Sequence, residues 1–101
     1  MYHFLTLKTI EPFVPLMERK NVSTVARSAR GFLTAYRKAR GKPESLTDHW
    51  WRTREAFIAR HEAQRKLNRE PLFDEDCLPT RRHLALIAWA YSPTPERFLK
   101  L

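Results

Sequence analysis

Apolar residues along this chain recur mostly at helical spacing, and proline, glycine and capping residues cut the pattern into four or five pieces. Residues 2–11 fit either an extended arm or a short helix, and Glu11, before Pro12, is biased away from helical backbone. A short helix is predicted over about residues 12–20, with Pro12 or Pro15 in its first turn and Asn21 as a left-handed stop.

A second helix is predicted over residues 23–40, ended by Gly41 and Pro43. Val22, Val25, Ala29, Phe32, Leu33 and Tyr36 form one apolar stripe on it. Arg27, Arg30, Thr34, Arg37 and Lys38 fall on the opposite face. Gly31 lies near the boundary, where it is either tolerated or allows another backbone to approach.

The third and longest helix is capped by Thr47 and runs to about Asn68. Leu46, Trp50, Phe57 and His61 lie close to one line, with Trp51 and Ile58 beside it. A loop over about residues 69–79 carries Asp74, Glu75 and Asp76. Thr80 caps a last helix to about Tyr91, whose residues 84–91 are all apolar and leave it no polar face. Phe98, Leu99 and Leu101 then pack back on a final short turn. The pattern predicts one all-α domain over residues 1–101. It is a compact bundle of four to five short helices around a buried hydrophobic C-terminal helix at about residues 81–91.

Charge changes this picture more than composition does. The chain has 19 basic and 11 acidic residues. Arg19, Lys20, Arg27, Arg30, Arg37, Lys38, Arg40 and Lys42 lie between positions 19 and 42 with no acid among them, while the rest of the chain is balanced. A confined basic excess is the footprint of an anionic partner, set against a face that only keeps the protein soluble. Arg81 and Arg82, in the first turn of the last helix, read as partners of Asp74, Glu75 and Asp76, or else as a secondary anion site.

Other chemistry is thin. A helix-turn-helix centred on Asn21 would have to bury Lys20, Arg27 and Arg30, which its small core cannot accept. His3, His49, His61 and His83 lack metal-ligand spacing, and no nucleophile elbow or phosphate-binding glycine loop accompanies Ser, His and Asp. His61 reads as a hydrogen-bonded core or boundary residue, and Trp50, Trp51 and Trp89 as core aromatics. The single cysteine, Cys77, excludes an intramolecular disulfide, points to a reducing, cytoplasmic setting, and reads as a small buried hydrophobe. No run is long enough to span a bilayer, and no catalytic residue, cofactor, metal or small-molecule substrate is indicated.

The expectation is a small, basic, non-enzymatic nucleic-acid-binding protein. Its helix 23–40 would touch phosphates and read bases little. The alternative is an interaction module, an inhibitor or small subunit, whose basic face docks on an acidic protein surface.

Overall fold

The N-terminal arm reaches the far end of the chain, where Leu5 N–H donates to the Ala90 carbonyl at 2.7 Å. The computed structural model describes residues 2–95, so the predicted packing of Phe98, Leu99 and Leu101 lies outside the described residues. Residues 2–6 form no helix or strand, and Thr6, itself extended, caps α1 (Leu7–Ile10) by accepting from Thr9 N–H. The ambiguous N-terminal segment is therefore an arm followed by a helix. A 3-10 turn (Glu11–Phe13) leads into α2 (Val14–Arg19), with Pro12 and Pro15 at first-turn positions. Asn21 follows in left-handed backbone (φ 54°) and ends the segment.

The predicted helix over residues 23–40 does not form as one piece. Residues 23–31 fold as successive turns, and only α3 (Phe32–Lys38) is helical. The cause is competition for backbone groups. Ser23 takes φ 59°, Ser28 Oγ donates to the Val25 carbonyl at 2.6 Å, and Thr34 Oγ1 donates to the Ser28 carbonyl at 2.7 Å. Gly31 sits where its missing Cβ would lie 2.1 Å from the Val25 oxygen and 2.3 Å from the Ala26 oxygen. The chain folds back over this point, and Leu33 N–H donates to Ala26 O at 3.0 Å. Val22, Ala26, Phe32, Leu33 and Tyr36 are buried, but Val25 and Ala29, placed in the same stripe by the spacing, are exposed.

Past Gly41 (φ 70°) and a 3-10 turn (Pro43–Ser45), Thr47 caps α4 (Asp48–Leu67) by accepting from Trp50 N–H. The buried line of α4 is Arg54, Ile58 and Glu62, each four residues from the next. The aromatic line of Trp50, Phe57 and His61 is only half-buried. Arg54 is a cation in the core with its hydrogen bonds satisfied. Its guanidinium donates to the carbonyls of Trp89 (2.7 Å), Tyr2 (3.1 Å), His3 (2.5 Å) and Ala90 (2.9 Å), and its Cζ lies 3.6 Å over the Phe4 ring. Burial pulls its pKa down to about 10, which leaves it charged at neutral pH.

Thr80 caps α5 (Arg81–Ile87). This helix is shorter than the apolar run predicts, because residues 88–90 turn and Ala90 is left-handed (φ 60°). That turn aims the Trp89 and Ala90 carbonyls at Arg54. The described residues are mostly helical and contain no strand, only one isolated bridge between Phe73 and Pro79. None of their helices is long and apolar enough to cross a membrane.

Candidate functional site

Of the eight basic residues between positions 19 and 42, all but Arg19 divide into two groups once folded. The first is engaged locally. Arg27 donates twice to the Val22 carbonyl, and Arg37 pairs with Glu11 at 2.8 Å. Lys20 lies 3.9 Å from Asp74. Arg19, exposed at the end of α2, falls in neither group. The second group, Arg30, Lys38, Arg40 and Lys42, is exposed and gathers around one side chain, Trp50.

Trp50 lines three adjoining hollows. The largest, of about 570 Å³, is walled by Phe57, Trp89 and the turn over residues 23–26, with Arg30 and Arg60 supplying its cations. The second, about 460 Å³, is bordered by Lys38, Arg40 and Lys42. The third, about 330 Å³, lies between Arg30 and Lys38. No acidic residue lines any of the three. The lining itself thus carries no counter-charge, its low-dielectric aromatic wall strengthens the field that five cations project, and Glu70 acts on the cleft from its His61 end.

The wall is ordered by ring stacking. Tyr36 and Phe32 lie 5.6 Å apart at 20°, Phe32 and Trp89 4.9 Å at 15°, and Trp89 and Phe57 4.5 Å at 19°. Phe57 and His61 close the series at 4.0 Å and 25°. Tyr36 is buried with its hydroxyl donating to the Leu5 carbonyl, so it stays in the core. Trp50 stands apart from the stack. Phe32, Trp89 and His49 meet it at 73°, 60° and 64°, so no ring among the described residues lies parallel on its indole.

Arg82 fixes the far end of the stack. It donates to His61 Nδ1 at 2.8 Å, to Gln64 at 3.3 Å and to Glu70 at 3.0 Å. A guanidinium only donates, so His61 Nδ1 accepts and the neutral ring carries its proton on Nε2. Burial, then the Arg82 charge, holds the His61 pKa below its ordinary value. The hydrogen bond from Arg82 likewise holds the Glu70 carboxyl low. Arg81 donates to the Lys20 carbonyl. The expected pairing of Arg81 and Arg82 with Asp74, Glu75 and Asp76 is therefore corrected. Asp74 accepts from Asp76 N–H and Leu78 N–H to close its own turn, and Glu70 is the acid that Arg82 meets. That turn leaves Cys77 exposed in left-handed backbone (φ 62°), where a buried hydrophobe was expected.

His83 and Ser92 form a second polar pair. His83 Nδ1 donates to the Leu72 carbonyl at 2.8 Å, which leaves Nε2 to accept from Ser92 Oγ at 2.8 Å. Both residues are buried, so the pair braces the core and presents no nucleophile at a surface. Among the described residues, no cluster of His, Cys, Asp and Glu could hold a metal.

Sequence spacing put Trp50 and Phe57 in the core and His61 in the core or at its boundary, and did not single out Arg60. Arg60 follows Phe57 by one helical turn, and that spacing was the available signal. No family model matches this chain, and no curated protein or solved structure is significantly similar to it.

Proposed function

We propose that this protein is a non-enzymatic nucleic-acid-binding protein that holds phosphates on the basic face around Trp50. Arg30, Arg60, Lys38, Arg40 and Lys42 are the contacting cations. One observation carries the reading: three adjoining hollows share Trp50, draw on five Lys and Arg side chains and include no acid. Helix 23–40 is replaced in this role by the turn around Arg30, the end of α3 and one side of α4. Arg27 and Arg37 belong to the frame. The bundle around α5 serves to hold Trp89 behind the cleft.

A second reading, docking on an acidic protein, draws on Val25, which is 77% exposed beside the same cleft and offers an apolar contact. Oligonucleotide binding across a salt series separates the two. Phosphate contacts give a steep log–log loss of affinity, and a protein partner leaves oligonucleotides bound weakly and without saturation.

A further inference from the structure

We propose that the cleft beside Trp50 takes an unpaired nucleobase, so that the ligand of the basic face is a single strand. This rests on the nucleic-acid reading and adds to it what lies between the phosphates.

The two large rings of the cleft differ in what they can still bind. Trp89 is buried, and Phe32 and Phe57 both stack on it, at 15° and 19°. Trp50 is half-buried, and its ring neighbours approach it at 60° or more. With no described ring parallel on it and three hollows against it, its indole is the ring of the cleft on which a flat π system would stack, and stacking of that kind tolerates any base. Bases inside a duplex have both faces covered by their neighbours, so only an unstacked base has a face to give.

Size and polarity agree with such a ligand. The cleft, about 570 Å³, falls within the range of about 300–1,000 Å³ typical of pockets for small organic ligands. Its wall is aromatic, and Thr53 and His61 add a hydroxyl and a ring N–H to it. Arg30 and Arg60 supply charge for the phosphate of the same nucleotide. Lys38, Arg40 and Lys42 continue the cationic surface past Trp50, where the phosphates of a longer strand would follow. A neutral apolar ligand would leave all five cations unused. A lone mononucleotide would leave three of them unused.

The test uses the whole chain, polyglutamate as an acidic-polypeptide control, and four probes of about eight nucleotides, within the usual site size of single-strand binders. They are oligothymidylate, oligouridylate, an abasic deoxyribose-phosphate strand, and the thymidine strand paired in a duplex. The base-bearing strands are expected to bind roughly tenfold tighter than the abasic strand and to quench tryptophan fluorescence. Trp50→Leu removes that advantage, so that it binds base-bearing and abasic strands alike, and Trp50→Phe retains most of it. The ratio of thymidine to uridine strands reads the sugar together with the 5-methyl group of thymine. Equal affinity for abasic and base-bearing strands overturns the base site while the phosphate reading stands. So does a duplex bound tighter than its single strand. No binding to any probe, or a preference for polyglutamate, overturns the base site and the nucleic-acid reading together.

Discussion

Arg54 Nε donates to the Trp89 carbonyl at 2.7 Å, so the middle of α4 is tied to the turn that follows α5. The same guanidinium reaches the Tyr2, His3 and Ala90 carbonyls, which draws the N-terminal arm into the junction. Trp89 is thereby held through its backbone carbonyl and by two rings stacked on its indole. Arg54→Met would orphan the Trp89, Tyr2 and His3 carbonyls and leave Ala90 with its bond from Leu5 alone, and is expected to cost about 3–5 kcal/mol in urea unfolding. Arg54→Lys keeps the charge but lacks the planar fork, and falls between that variant and the parent.

His83 should set an acid limit to stability. Burial pulls its pKa down to about 4, from an ordinary value of 6.5. Between these values the unfolded chain binds the proton and the folded chain does not, so stability falls as the pH drops through this window. The loss reaches about 3 kcal/mol below pH 4. His61 is shifted in the same direction and adds to the trend. Chemical denaturation of His83→Gln across pH checks the assignment. Its stability should be lower at neutral pH, and its pH slope between about 4 and 6.5 flatter than that of the parent.

Gly31→Ala tests the turn that shapes the cleft. Gly31 has φ −87°, so the cost there is steric and has nothing to do with left-handed backbone. The added methyl meets the Val25 and Ala26 carbonyl oxygens at 2.1 and 2.3 Å, and backbone atoms cannot swing aside as a flexible side chain would. A loss of about 1–3 kcal/mol in thermal or urea unfolding is expected. Displacement of residues 23–26 should weaken oligonucleotide binding as well.

Local signals were legible in the sequence wherever one residue decides one backbone position. Thr47 and Thr80 cap the helices that follow them, and Asn21 and Gly41 take the left-handed turns that stop segments. The turn over residues 23–31 was not legible in the same way. Its apolar spacing copies a helix, but Ser28 and Thr34 spend their hydroxyls on backbone carbonyls, and Gly31 admits a close backbone approach that periodicity does not record.

The cleft was hidden for a related reason. A helical wheel ranks faces by apolar content, so it turned Trp50, Phe57 and His61 inward. The face that packs inward is offset by one side-chain row and contains Arg54, whose burial depends on carbonyls more than 30 residues away in sequence. Once Arg54 takes the core, the aromatic row is left at its edge beside Arg30 and Arg60, and a stripe read as packing becomes the wall of a site.

The salt dependence of single-strand binding tests the central claim most directly. Three to five phosphate contacts give a slope of log Kobs against log salt of about −2 to −3.5. Arg30→Glu with Arg60→Glu should reduce that slope by about 1.4 or more. Arg37→Glu, which removes a cation already paired with Glu11 outside the three hollows, should leave it nearly unchanged. Equal slopes for all three proteins, or a larger effect from Arg37 than from Arg30 and Arg60, would contradict the account.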